Sequence, residues 1–312
     1  MFDFYSTNDR DLLSNCTHCP HECSVDRFDG PLGYCLTDAG INISSICIHK
    51  GEEPPISGPS GICNIFFTGC NLRCIFCQNH EISRQGCGGG FSPDGLENVL
   101  DRVAAILSKG INAVGFVSPS HVVPQVTAII NGLKSRGISP ITVYNTNGYD
   151  KSETLQSLSG MIDVYLPDLK YVSPKIAAEY SDAADYPVVA LKALKEMYFQ
   201  KGSTLITNDE GVAVNGILLR HLVLPGHAKE SINVLRTIAE EVSTGIHFSL
   251  MSQYHPTKQV KNHPVLDRTL YTDEYESVVK EMESLGFRNG WVQDMDSYDN
   301  HRPDFRKENP FE

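Results

Sequence analysis

The chain has 312 residues, 41% of them hydrophobic, enough for one α/β barrel and an appendage. A net charge of −12 and a pI of 5.4 argue against a nucleic-acid partner. No apolar run approaches the roughly 18 residues that span a bilayer, so no membrane association is expected. Met1–Arg10 has no basic stretch leading into an apolar core, so no secretory signal is expected either. All ten cysteines lie between Cys16 and Cys87. With no export signal and metal-like spacings, they point to metal or cluster ligation in a reducing cytoplasm rather than to disulfides.

Residues 1–60 read as a cysteine-rich, loop-rich N-terminal extension, punctuated by Gly30-Pro31, Gly33, Pro54-Pro55 and Gly58-Pro59. Within it, Cys16, Cys19, Cys23 and Cys35 have two short gaps and one longer loop. Such a set can close a tetrahedral zinc or an auxiliary [4Fe–4S] cluster, and the spacing does not choose between them. Cys47 and Cys63 are spare ligands or small buried hydrophobes.

Residues 61–312 read as a separate barrel domain, because apolar runs of strand length now alternate with amphipathic stretches. Ile62–Thr68 predicts a strand, with Cys70–Cys77 in the loop after it. Ser92-Pro93-Asp94 predicts a helix start, followed by Leu96, Val99, Leu100, Val103, Ile106 and Leu107 on one face and by Gly110 as the stop. Cys87, between Gly86 and Gly88–Gly90, reads as a loop thiol; no Lys-Ser or Lys-Thr follows to make a phosphate loop.

Further strands are predicted at Ala113–Val117, Ile141–Tyr144, Ile162–Leu166, Ile217–Leu224 and Ile246–Met251. Helical patterns fall at Val122–Lys134, Glu153–Leu158, Pro174–Phe199 and Lys229–Val242, and a hairpin at Leu205–Val214. Six strands joined by helices imply a parallel sheet, which right-handed crossovers curl into a partial (β/α)6 barrel. Chemistry then belongs at the carboxyl ends of the strands.

The run Thr68-Gly-Cys-Asn-Leu-Arg-Cys-Ile-Phe-Cys-Gln-Asn79 spaces Cys70, Cys74 and Cys77 as C-x3-C-x2-C. Three thiolates hold three corners of a [4Fe–4S] cubane and leave one iron open to an exogenous ligand. A zinc site lacking a nearby fourth ligand and three unrelated buried thiols are the plainer readings. Asp168 and Lys170, two residues apart in Leu166-Pro-Asp-Leu-Lys170, share one side of an extended chain. Arg220, in a run ending Pro225-Gly-His227, offers a fixed donor fork suited to a carboxylate. Tyr144-Asn-Thr-Asn-Gly148 also follows a strand, and Asn147-Gly148 is equally an ordinary turn signal.

The cysteine loop, with Phe76 before its third cysteine and Gln78-Asn79 after, resembles the signature of radical S-adenosylmethionine enzymes, in the pyruvate formate-lyase activating enzyme branch. The resemblance runs from Cys16 to about Pro256. It implies that Cys70, Cys74 and Cys77 carry a catalytic [4Fe–4S] cluster whose open iron chelates the amino and carboxylate groups of S-adenosylmethionine. It further implies that Asp168 accepts from the cofactor's ammonium, that Lys170 pairs with its carboxylate and that Asn145 or Asn147 meets its ribose. Arg220 and His255, in Ser252-Gln-Tyr-His-Pro256, are implied as further cofactor contacts. Gly115-Phe-Val-Ser-Pro-Ser-His121 stands where the branch has Gly-Gly-Glu and lacks that acid; Ser118, Ser120 or backbone carbonyls could substitute.

Cys16-x-x-Cys-Pro20 and Gly33-Tyr-Cys35 resemble the cysteine-rich head of an activating-enzyme-like group. The implied chemistry is one-electron reduction by a flavodoxin or ferredoxin, cleavage of S-adenosylmethionine to methionine and a 5′-deoxyadenosyl radical, and hydrogen abstraction from a substrate. The nearest family role is installing a glycyl radical on a partner enzyme. The alternatives are a radical enzyme acting on a small metabolite or another protein side chain, and a non-catalytic iron–sulfur or zinc protein.

Overall fold

The computed structural model describes residues 2–84, 95–295, 297, 303–307 and 309–311. Its strands are β1 (Ile43–His49), β2 (Ile62–Phe67), β3 (Ala113–Val117), β4 (Ile141–Thr146), β5 (Val164–Pro167), β6 (Ile206–Thr207), β7 (Ala213–Leu222), β8 (His247–Met251) and β9 (Gly290–Val292). Hydrogen bonding runs β1-β2-β3-β4-β5-β7-β8-β9, with β6 paired to β7 alone. From β2 to β9 every neighbouring pair on this path is parallel. The central strands β2, β3 and β5 are buried at every position, as expected for a sheet covered on both faces. This is the expected α/β fold, a partial parallel barrel.

Two faces of the same strands do different work. Cys63, Ile65, Val114, Phe116, Tyr144, Tyr165, Leu219 and Phe248 join the large core against the surrounding helices. Ile62, Ala113, Val143, Val164 and Leu218 form a second apolar cluster, closed by Ile56 of the short helix Pro54–Ser57. The connection from β1 to β2 lies at the amino end of the parallel strands, because antiparallel pairing sets His49 against Ile62. Ile56 therefore plugs the barrel floor, while polar side chains occupy the layer above it.

Several expected elements change. Residues 1–60, expected as a loop-rich extension, contribute β1 to the sheet: the apolar run Ile43–His49 buries itself against β2. β9 follows the last expected strand and pairs with β8. The helix expected over Pro174–Phe199 is two, Pro174–Ser181 and Tyr186–Lys201. Asp182 adopts φ 55° and ends the first, and Pro187, with no N–H to continue a helix, sits in the first turn of the second. The expected hairpin is the short β6 turning into β7, which makes β7 start earlier than predicted. The helix Leu96–Leu107 has Gly95 at its N-cap. Its expected start at Ser92-Pro93-Asp94, like Cys87, lies outside the described residues.

Candidate active site

The chain leaving β2 turns at Gly69, whose φ of 74° favours glycine. A Cβ there would overlap the Cys35 carbonyl and lie 2.7 Å from Thr37 Cγ2, so the turn is also where the N-terminal extension packs on the cysteine loop. Each thiol of that loop meets polar hydrogens. The Leu72 amide and Asn147 Nδ2 approach Cys70 Sγ at 3.4 and 3.5 Å. Cys74 Sγ lies 3.0 Å from the Ser181 hydroxyl, and Cys77 Sγ 3.5 Å from that of Ser83. Asn71, fully buried, ties the loop down by donating to the Tyr149 carbonyl at 2.7 Å and accepting from Asn147 at 2.9 Å.

Burial pushes the Cys70 thiol up to about 12, and its neighbours Cys74 and Cys77 add to the shift, while the Leu72 and Asn147 donors oppose it. Burial likewise raises Cys74, against the nearby Lys170 ammonium. Buried sulfurs supplied with donors but short of positive charge suit thiolates that a metal cluster would neutralise. Among the described residues, no three His, Cys, Asp or Glu side chains close on a point that could hold one metal ion. A cubane spreads its cysteines over separate irons, so the donor chemistry fits a cluster better than a single zinc.

Cys70, Cys74 and Cys77 line one cavity of 380 Å³ together with Asn145, Asn147, Asp168, Lys170 and Arg220. Asn145 stands one residue before the end of β4, Asp168 and Lys170 follow β5, and Arg220 stands on β7, where a bridge joins it to Asp168. Lys170 Nζ donates to Asp168 Oδ2 at 2.6 Å and Arg220 Nε to Asp168 Oδ1 at 3.0 Å. Burial would raise the Asp168 carboxyl, but Arg220 and Lys170 outweigh it and hold the group below its ordinary value. Burial would also lower Lys170, yet Asp168 and Cys74 keep it above its ordinary value. Both are therefore charged at neutral pH.

Arg220 is not an open fork. Besides Asp168 it reaches Asn145 Oδ1 at 2.6 Å and Glu52 Oε2 at 3.2 Å. His255 is half-buried on the loop after β8 and is absent from the cavity lining, whereas Gln253 two residues earlier is part of it. In the segment after β3, Ser118 lines the cavity at φ 50°. Ser120 instead bonds Thr146 at 3.0 Å, and His121 is buried with Nε2 2.9 Å from the Thr68 carbonyl. His227 pairs with the Tyr180 hydroxyl at 2.8 Å, away from the cavity.

Cys47 and Cys63 are buried within β1 and β2. Cys16, Cys19 and Cys35 are buried and Cys23 half-buried. Burial raises Cys19 to about 12, and Cys35, Cys16 and Cys23 each add to it, so the four thiols share one neighbourhood. The extension meets the cysteine loop through His21, whose ring stacks on Tyr34 at 3.7 Å and whose Nε2 lies 2.8 Å from the Asn71 carbonyl.

Sequence reasoning overlooked Glu52 and Glu53, which also line the cavity. The available signal is the acidic pair itself, directly ahead of Pro54-Pro55. Asn71, inside the cysteine run itself, was likewise passed over.

The chain is 27% identical over 278 residues to the uncharacterised protein MJ0674 of Methanocaldococcus jannaschii, covering 87% of this chain and 75% of that one. It is 22% identical over 185 residues to a 7-carboxy-7-deazaguanine synthase of Rhodopirellula baltica, covering 58% and 64% of the two chains. Its fold is like that of SuiB from Streptococcus suis bound to S-adenosylmethionine, with a TM-score of 0.50 and 14% identity over 73% of this chain and 48% of that one. The chain thus spans about half the length of that solved protein. The model of the Radical SAM superfamily matches residues 64–236, more than half of the 312. That span begins in β2, takes in the whole cysteine loop and ends beyond β7, and the chain belongs to the radical SAM superfamily, which uses a [4Fe–4S] cluster and S-adenosylmethionine.

Proposed function

We propose that the chain is a radical enzyme of the activating-enzyme-like branch, which abstracts a hydrogen atom from a substrate held against the cavity. The observation that carries this reading is the convergence of Cys70, Cys74 and Cys77 with Asp168, Lys170, Asn145 and Asn147 on one cavity. In this reading the three thiolates hold the [4Fe–4S] cluster. Bound together, cluster and S-adenosylmethionine supply one electron and a carbon radical that removes hydrogen from an unactivated position.

The chain's own residues do the positioning. The Lys170 ammonium, its Nζ on the Asp168 carboxylate, pairs with the cofactor carboxylate, and Asp168 accepts from the cofactor ammonium. Asn145 and Asn147 offer amide groups to the ribose hydroxyls. Apolar liners such as Leu72, Phe76 and Met251 exclude water from the reacting centre. Arg220, held by its partners, acts by fixing Asp168 and Asn145; for His255, outside the cavity lining, a cofactor contact is carried by the family resemblance alone.

An external flavodoxin or ferredoxin is the proposed reductant, and the substrate side is a glycyl-radical enzyme partner. A second reading, a small-molecule substrate, is favoured by the depth of the cavity, which reaches from the cysteine loop to Glu52 and Glu53 at the floor. Anaerobic incubation of the reconstituted enzyme with reductant, deuterated candidate substrates and S-adenosylmethionine separates the two. Deuterium in 5′-deoxyadenosine from a glycyl-radical enzyme labelled at glycine supports the first; label arriving only from a small metabolite supports the second. Unlabelled product from every candidate counts against hydrogen abstraction from any of them.

For Cys16, Cys19, Cys23 and Cys35 we propose a second, closed metal centre; as at the cysteine loop, no three of these thiols close on one ion, which favours a cluster over zinc. Their shared neighbourhood supports it, and they leave no open coordination position for the cofactor.

A further inference from the structure

Glu52 and Glu53 enter the barrel from its amino end, opposite the cysteine loop, on the connection between β1 and β2. The two differ sharply in their partners. Glu52 is saturated: Oε1 accepts from Asn64 Nδ2 at 2.9 Å and Asn145 Nδ2 at 3.2 Å, and Oε2 from Arg220 at 3.2 Å. Glu53, with a side chain only 7% exposed, has an Oε2 with no hydrogen-bond partner among the described residues. That oxygen lies 3.8 Å from Arg220 Nη1, an ion-pair distance too long for a hydrogen bond. A buried, unpaired carboxylate oxygen is costly and calls for a donor.

The surrounding charges decide which donor. Both cations of the cavity are committed elsewhere: Arg220 to Asp168, Glu52 and Asn145, and Lys170 to Asp168 and, in the proposed reading, to the cofactor carboxylate. An anionic or acceptor group arriving at the floor would meet three carboxylates and find no free cation among these groups. A cationic donor would satisfy Glu53 and compensate the third carboxylate, which Lys170 and Arg220 leave unbalanced once Glu53 is ionised.

We infer that the floor of the cavity is a recognition subsite for a basic group of the substrate, a primary ammonium or guanidinium on an alkyl stem, anchored by the Glu53 carboxylate. The inference rests on the reading that the substrate enters this cavity. It applies equally to a free amine and to a basic side chain on a peptide. Burial favours a neutral Glu53, Arg220 and the Ser249 hydroxyl oppose it and Glu52 adds to it, so the arriving cation stabilises the charged form.

The test is ligand-observed NMR on the reconstituted enzyme with S-adenosylmethionine bound, using n-butylammonium, Nα-acetyl-lysine methylamide and, as control, butyrate. Both cations should bind about ten-fold more tightly than butyrate, and Glu53→Gln should remove about that factor. The tighter of the two cations tells a free amine from a side chain. Butyrate binding as well as the cations, or Glu53→Gln leaving cation binding intact, overturns the inference. If Glu53→Gln fails to fold, the comparison of cations with butyrate on the natural enzyme decides alone. Formation of 5′-deoxyadenosine by the same natural preparation is followed separately, so loss of the enzymatic reading is not mistaken for loss of the subsite.

Discussion

Asn147 bonds at once to the cysteine loop and to its own turn: it donates to Asn71 and Cys70 Sγ, and its Oδ1 accepts from the Tyr149 amide at 2.9 Å. Asn147→Ala leaves the buried Asn71 Oδ1 without this donor, and we expect a loss of about 1–3 kcal/mol by urea unfolding. An unchanged midpoint would mean that the Cys70 turn is held by other contacts.

His221 makes a different prediction. Its ring lies between the Leu169 carbonyl at 2.6 Å and the Ser231 hydroxyl at 2.8 Å, so Nδ1 donates and Nε2 accepts. Burial lowers it from 6.5 to about 4, against the pull of the Leu169 carbonyl. The folded value lies below the unfolded one, so acid protonates the unfolded chain first. Stability therefore falls as pH drops from 6.5 toward 4, by about 3 kcal/mol from this group. His221→Asn should be less stable at pH 7 and lose stability less steeply down to pH 5; parallel curves for the two proteins would refute the assignment.

At this scale the cysteine triplet, Asp168 and Lys170 were legible because each sits at fixed spacing beside a strand end. Glu53 was not, since what singles it out is the absence of a hydrogen-bond partner for Oε2 among the described residues, which no sequence pattern shows.

Among the elements, β3 depends on Gly115, which pairs in register with Asn64 of β2. A Cβ at 115 would overlap Asn64 Oδ1, and Asn64 carries Glu52. Gly115→Ala should thus cost about 1–3 kcal/mol and shift the Glu52–Arg220 contact; thermal melting with an unaltered midpoint would contradict it. The N-terminal extension makes its own prediction. Metal analysis of the Cys70/Cys74/Cys77→Ala variant should find metal on Cys16, Cys19, Cys23 and Cys35, iron for a cluster or zinc for a structural site, and none at all would refute a second centre.

The strands β2, β3, β4, β5, β7 and β8 were readable as apolar runs separated by helical periodicity. β1 was hidden by its setting among cysteines and prolines. The break between Pro174–Ser181 and Tyr186–Lys201 was hidden because Asp182 can leave a helix without a glycine. The helix Thr272–Ser284 lies beyond the last expected strand and was not anticipated.

Over the whole molecule, one parallel path from β2 to β9 carries the cavity, with the cysteine loop at its carboxyl end and Glu52–Glu53 at its floor. Among the described residues no helix is long and apolar enough to cross a membrane. The fold class followed from alternating strands and helices; the enclosure of the cavity did not, because it needs β1, β9 and Phe311 as well. The central claim is that Cys70, Cys74 and Cys77 make this cavity a site of reductive S-adenosylmethionine cleavage. Anaerobic assay of 5′-deoxyadenosine with reductant tests it most directly. The account predicts product from the reconstituted natural enzyme and none from the Cys70/Cys74/Cys77→Ala variant. Equal yields from the two, or none from the natural enzyme with its iron in place, would contradict it.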